Sequence, residues 1–234
     1  MRVQEQPAYI LHHRPFRDSS QILDVMSRDY GRLSLMSRGS RAAKSRLKSI
    51  LQPFIPLTLS WSGKGEMPFL NSAEPLALKP VSLSGRALPS AFYINELLVR
   101  LLHKHDVHED VFFLYESILK LLADNQPIEP VLRLFEKQLL ETLGFGLNLS
   151  VDAQTGERVS ENENYAYYLE HGPVILQSVD DESYILKLSG RSLLDLNENT
   201  LSSEQSLKDA KRLMRGILHY YLGGKPIKSR ELFR

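Results

Sequence analysis

Ile22-Leu23-Asp24-Val25-Met26-Ser27-Arg28-Asp29-Tyr30-Gly31-Arg32-Leu33-Ser34-Leu35-Met36 reads as two short strands around a tight turn. Ile22–Ser27 is rich in β-favouring residues, Asp29-Tyr30-Gly31 supplies turn chemistry, and Leu33 and Leu35 share one face of the returning strand. Upstream, Ala8–His13 is another β-rich run, ending before Arg14-Pro15. Downstream, Leu57, Leu59 and Trp61 alternate with Thr58 and Ser60, Gly63-Lys64-Gly65 forms a turn, and Met67–Ala73 is a fifth strand. Five short strands in about 80 residues fit a small barrel. The OB-fold is the five-stranded member of that class, and such barrels bind oligonucleotides by stacking and backbone contacts.

From Leu88 the hydrophobic period changes from 2 to 3.6. Ile94, Leu97, Leu98, Leu101 and Leu102 mark one helix, and Val111, Leu114, Tyr115, Ile118, Leu119 and Leu122 a second. A third begins near Pro130, carries Leu132, Phe135, Leu139 and Leu143, and stops at Gly144. A last helix follows the capping signals Ser202-Ser203-Glu204-Gln205 and carries Leu207, Ala210, Met214, Ile217, Leu218 and Tyr221. Between them, Tyr165–Leu169, Val174–Ser178 and Ser183–Leu188 read as three short strands. The expected fold class is therefore α+β. Its expected domains are an OB-fold barrel over 1–80 and a mainly helical domain over 81–234, with a small β insertion at about 148–190.

The chain has 234 residues, 42% hydrophobic and 24% charged, which is globular composition and excludes a disordered or collagen-like polymer. No apolar run is long enough for a transmembrane helix. The start, Met1-Arg2-Val3-Gln4-Glu5-Gln6-Pro7, has no apolar signal core, so a cytoplasmic protein is expected. The absence of cysteine removes disulfides, thiolate catalysis and every thiolate metal site.

Motifs for catalysis are lacking. There is no GxSxG elbow, HExxH helix or complete phosphate loop; Gly223-Gly224-Lys225 is followed by Pro226 where a hydroxyl is needed. His103, His105 and His108, beside Asp106, Glu109 and Asp110, fall in a turn between helices and read as solvated side chains rather than metal ligands. No enzyme, cofactor or metal is expected.

The charge is informative because it is uneven. The net value is +1, yet residues 1–80 hold 12 Lys and Arg against 6 Asp and Glu, residues 81–207 hold 9 against 20, and residues 208–234 hold 8 against 2. Basic ends around an acidic middle point to one surface that faces a polyanion. The densest stretch is Arg28, Arg32, Arg38, Arg41, Lys44, Arg46 and Lys48, opposed only by Asp29. Neutralising phosphates with such a run makes binding steeply salt-dependent. A solvated loop between strands is the competing reading. Lys208, Lys211, Arg212 and Arg215 line the polar side of the last helix, where cations are often no more than a solvated face. Arg133 and Lys137 stand i, i+4 on the third helix among apolar residues, as an acidic and aromatic peptide would require. Pairing of Arg133 with Glu129 or Glu136 is the alternative on spacing alone.

Three stretches carry a resemblance. These are Leu23-Asp24-Val25 through Gly31-Arg32-Leu33, Arg38-Gly39-Ser40-Arg41 and Leu51-Gln52-Pro53-Phe54; then Tyr93-Ile94-Asn95-Glu96-Leu97-Leu98; and last Leu222-Gly223-Gly224-Lys225-Pro226-Ile227-Lys228-Ser229-Arg230-Glu231-Leu232-Phe233. In this order they resemble the RecO family of bacterial DNA repair proteins over nearly the whole chain. The resemblance implies a recombination mediator with an N-terminal OB-fold. It would bind single- and double-stranded DNA, anneal complementary strands, and act with RecR to load RecA onto DNA coated by single-strand binding protein, in the nucleoid. It also implies docking of that protein's acidic, Phe-ending tail, with Arg133 and Lys137 as the receiving side chains and Arg38-Gly39-Ser40-Arg41 as the DNA-contacting segment. The competing readings of the residues are an adaptor that touches no nucleic acid, which the Arg28–Lys48 run argues against, and an RNA-binding OB-fold protein. Many family members hold zinc through four cysteines in the insertion. This chain has none there, so packing around Tyr165, Tyr167, Tyr168 and Ile175 is expected to hold the insertion instead.

Overall fold

The structure, a computed structural model, describes residues 2–76, 82–178 and 183–233. The expected domain boundary at 80/81 lies outside the described residues. The chain forms two compact units, one of Met1–Asn125 with Ile227–Arg234 and one of Gln126–Pro226.

In the first unit, β1 (Arg2–Phe16), β2 (Ser20–Ser27), β3 (Gly31–Ser37), β4 (Leu57–Ser62) and β5 (Phe69–Pro75) close a barrel in the order β1-β2-β3-β5-β4. This is the expected five-stranded barrel, with the OB-fold order. β1 is far longer than the expected Ala8–His13, because it serves two neighbours. Residues 2–8 pair with β4 and residues 8–16 with β2. Irregularities between Val3 and Gln6 and between Ile10 and His12 bend it between them. Closure needs one parallel pair, Met36 with Phe69. Inward alternation fills the barrel with Ile10, Leu23, Val25, Leu33, Leu35, Leu57, Leu59 and Trp61.

The hairpin turn forms as expected, with Ser27 opposite Gly31. Gly31 has φ +63, and an added Cβ would stand 2.0 Å from the Asp106 carbonyl oxygen. That close approach lets the 103–107 loop dock on β3, where the His105 N–H donates to the Arg32 carbonyl at 2.8 Å. A four-residue helix, α1 (Leu47–Ile50), lies in the long β3–β4 connection.

The helices α2 (Ala87–Leu101) and α3 (Glu109–Ala123) stay in the unit that holds the barrel. Asn95 on α2 donates to the Leu11 carbonyl and accepts from the Tyr115 hydroxyl, each at 2.8 Å. Tyr9 completes this contact, edge-on to Tyr115 with centroids 5.0 Å apart. Burial pushes the Tyr115 hydroxyl far above its usual pKa, so it stays a donor. The C-terminal Lys228–Phe233 turn belongs to this unit too.

The second unit holds α4 (Ile128–Thr142), the strands β6 (Asn164–Tyr168), β7 (Gly172–Ile175) and β8 (Leu186–Ser189), and the helices α5 (Gly190–Glu198) and α6 (Glu204–Tyr221). The strands form one sheet in the order β7-β6-β8. α6 begins where the capping signals place it: the Ser203 hydroxyl accepts the Ser206 N–H at 3.0 Å. α5 was not expected from the sequence. The starts of the two helices are tied reciprocally, Ser192 to Asp209 at 2.8 Å and Ser206 to Asp195 at 2.6 Å. Among the described residues no helix is long and apolar enough to cross a membrane.

Candidate nucleic-acid interface

The run from Arg28 to Lys48 is one stretch in sequence but not one surface. Arg28 sits in the hairpin turn, paired with Asp29 at 2.7 Å. Arg32 is largely covered: its Nε donates to the Leu102 carbonyl at 3.0 Å, and Asp24 lies 3.8 Å from its Nη1. Arg32 therefore anchors the 103–107 loop.

The remaining five cations lie beyond β3. Arg38, Arg41, Lys44, Arg46 and Lys48 are exposed, and none makes an ion pair among the described residues. Their segment is a chain of turns, with Ala42 N–H on the Gly39 carbonyl, Ser45 on Ala42 and Lys48 on Ser45. Ser40 is fully buried and its hydroxyl returns to the Ser37 carbonyl at 3.2 Å. Arg41 ties the segment to the β1–β2 turn. Its N–H donates to the Ser19 carbonyl at 2.8 Å and its Nη1 to the Arg17 carbonyl at 3.1 Å.

That tie brings in two exposed cations the sequence reading missed, Arg14 and Arg17. The signal was Arg14-Pro15-Phe16-Arg17, two cations around a strand end. They are separated by more than twenty residues from the segment they join. A hollow of about 230 Å³ lies here, lined by His13, Pro15, Gln21, Ser40, Arg41, Lys48 and Gln52. Burial, with His12 adding repulsion, lowers the His13 pKa, so its ring is neutral at pH 7. The positive charge lining this hollow therefore comes from Arg41 and Lys48.

In the second unit the α6 cations divide similarly. Lys208 pairs with Glu204 at 3.1 Å and Lys211 with Glu129 at 2.9 Å. Arg212 and Arg215 are exposed and make no ion pair among the described residues.

Arg133 and Lys137 are both buried, not lining an open cationic groove. Arg133 Nη2 donates to Glu136 Oε1, one of the two carboxylates the spacing allowed, and its buried Nε finds no hydrogen-bond partner among the described residues. Lys137 Nζ donates to the Asn197 carbonyl at 2.6 Å and the Leu196 carbonyl at 3.2 Å, capping the end of α5. The same helix borders an apolar hollow of about 110 Å³ lined by Pro130, Val131, Leu134, Asn199 and Leu201.

The insertion does not fit a zinc ion. Asp152 is the buried carboxylate there, and both its oxygens are occupied by backbone. Oδ1 accepts the N–H groups of Gln154 and Thr155 at 2.8 and 2.9 Å, and Oδ2 accepts that of Ile175 at 2.7 Å. Tyr165 and Tyr167 are buried as expected, but the loop itself is held by this carboxylate. Among the described residues no three His, Asp or Glu side chains converge as a metal site requires.

Two family models cover the chain, "Recombination protein O N terminal" over residues 1–78 and "Recombination protein O C terminal" over 83–231. The DNA repair protein RecO of Nitrosococcus oceani is 44% identical over 232 residues, which is 99% of this chain and 93% of that protein. That of Alkalilimnicola ehrlichii is 45% identical over 233 residues, 100% and 92% of the two chains. That of an Azoarcus species is 40% identical over 234 residues, 100% and 96%. With both models matched in order along a closed barrel and a helical region, the chain belongs to the RecO family.

Proposed function

We propose that this chain is a DNA repair protein and recombination mediator that binds DNA through the β1–β2 turn and the 38–48 segment. Five exposed cations that make no ion pair among the described residues, tied to the β1–β2 turn where Arg14 on the strand and Arg17 add two more, are the observation that supports this most. A fold places unpaired cations side by side at an electrostatic cost, which a polyanion relieves. Arg212 and Arg215 on α6 supply a second, smaller cationic face. Neutralising phosphates on two strands lowers the repulsion that opposes annealing. Single- and double-stranded DNA are accordingly both ligands, and RecR-assisted loading of RecA is the process served. The finer partner is the acidic, Phe-ending tail of single-strand binding protein, received at the apolar hollow on α4, the helix that also carries Arg133 and Lys137.

The test is fluorescence anisotropy of a labelled oligonucleotide at several salt concentrations. Wild-type affinity falls steeply with salt. Joint replacement of Arg38, Arg41 and Lys44 by Ala lowers affinity and flattens the log–log salt slope by about 2, as three lost phosphate contacts on a single strand require. An unchanged slope would reject the segment. Failure of the wild type to bind at low salt would leave the adaptor, and preference for structured RNA would leave the RNA-binding barrel.

A further inference from the structure

Two phenylalanines sit where the barrel gives no reason for an aromatic ring. Phe16 ends β1 and is 36% exposed; Phe69 begins β5 and is 39% exposed. Neither belongs to the packed interior of the barrel. Each carries an arginine on its ring: Arg17 lies 5.3 Å from the Phe16 centroid and Arg38 only 3.9 Å from that of Phe69.

The strand register relates them. Phe16 is opposite Ser20, Gln21 is opposite Ser37, and Met36 is opposite Phe69. Followed straight across the sheet, Phe69 is level with Met36, Ile22 and Arg14, so its ring stands three strands from Phe16 and two residues off the Phe16 row. Three inter-strand steps of about 4.8 Å across and two residues of about 3.3 Å along put the two positions roughly 16 Å apart on the barrel surface. The 38–48 segment leaves β3 between them, and Arg41 fastens it to the turn just after Phe16. Cations for phosphates therefore lie between two flat surfaces for bases.

We propose that Phe16 with Arg17 and Phe69 with Arg38 are base-stacking platforms, so that the interface takes unpaired nucleotides by their bases. This rests on the DNA-binding reading above and adds which form of nucleic acid engages the rings. An aromatic face accepts any base, so the contact is independent of sequence. In a duplex both faces of each base are covered by its neighbours, and a separation of about 16 Å spans between about four and five stacked steps of 3.4 Å. An extended single strand can set separate bases on both rings. The cations between them meet phosphates of either form.

The experiment compares three ligands of equal phosphate number: a mixed-sequence single strand, the same strand made abasic, and a duplex. Phe16→Ala and Phe69→Ala each weaken the base-bearing strand about tenfold. They leave the abasic strand, the duplex and the salt slope unchanged, and Phe69→Tyr retains wild-type affinity. Equal losses on base-bearing and abasic strands, or no loss on either, would overturn stacking. In that case the Arg38, Arg41 and Lys44 variant still weakens all three ligands and the phosphate reading stands. A wild type that binds none of them at low salt overturns both readings together. Thermal unfolding of each variant guards against loss of fold.

Discussion

The carboxylate of Glu96 accepts the backbone N–H of Ser229 at 2.7 Å and that of Lys228 at 3.0 Å, so the C-terminal turn is fastened to α2 by one side chain. Arg230 adds its guanidinium over the Tyr93 ring, one turn away. The Gly223–Phe233 motif that carries the family resemblance thus ends in a latch.

Replacing Glu96 by Ala should destabilise the protein by about 2 kcal/mol, since hydrogen bonds to a charged acceptor are lost. Burial alone would raise the Glu96 pKa. The N–H groups of Ser229 and Lys228, with Arg100, outweigh it and hold the group below its ordinary 4.5. A carboxylate with a lower pKa when folded stabilises the fold above its unfolded pKa and stops doing so as pH falls through the folded one. Urea unfolding of wild type and variant should therefore differ at pH 7, and the difference should shrink as pH falls below the ordinary 4.5 and through the lower folded-state pKa. A difference that stays constant throughout acid titration would mean the loss is packing alone.

Arg32 and Arg38 should part company in mutagenesis. Arg32→Ala takes the guanidinium from the Leu102 carbonyl and from beside Asp24, which keeps the Ser34 hydroxyl at 3.0 Å, and costs about 1–3 kcal/mol of stability. Its DNA affinity at a temperature where it is folded should equal that of wild type. Arg38→Ala should unfold like wild type and bind single strands more weakly. The pair of measurements, denaturant midpoint and anisotropy, distinguishes an anchor from a contact.

For the insertion, chelation with EDTA should change nothing, whereas Asp152→Ala should release the loop. Three backbone N–H groups lose their acceptor at once; those of the exposed Gln154 and Thr155 can turn to water, and that of the half-buried Ile175 costs about 1–3 kcal/mol where water cannot replace the carboxylate. Burial would raise the Asp152 pKa, but these bonds lower it below 3.8, so the loop should stay closed through mild acid. Amide exchange at Gln154, Thr155 and Ile175 reads this directly. Protection unaffected by the substitution would show that the tyrosines suffice.

The barrel was legible because inward positions at Leu33, Leu35, Leu57, Leu59 and Trp61 alternate without interruption. β1 was cut short because its irregularity between Val3 and Gln6 breaks the period of 2 and because Pro7 reads as punctuation. α5 escaped because it opens on Gly190 and Ser192, poorer helix formers on either side of Arg191, and rests on its Ser189 cap and on contacts with α6. The basic run was visible, but its division was not. Only the hairpin register separates Arg28 and Arg32 from the five cations beyond β3, and only the Arg41 tie recruits Arg14 and Arg17. Periodicity reports which face a residue occupies; it carries no information on which distant cations share a surface.

The last test concerns the tail site, where the obvious variant misleads. Arg133 is 7% exposed and its partner Glu136 is also buried. Arg133→Ala leaves that carboxylate buried beside a cavity and should cost about 3–5 kcal/mol, so loss of peptide binding would prove nothing. Replacing the pair together, Arg133→Met with Glu136→Leu, removes both charges while filling the space, and such exchanges are often neutral. If Arg133 draws the acidic tail, this folded variant should bind DNA normally and lose an acidic peptide ending in Phe. If it keeps the peptide, the charge is structural and the hollow alone is the determinant. Leu134→Glu then decides the hollow itself, because a carboxylate on its wall repels the acidic peptide and disrupts its apolar lining without touching the Arg133–Glu136 pair.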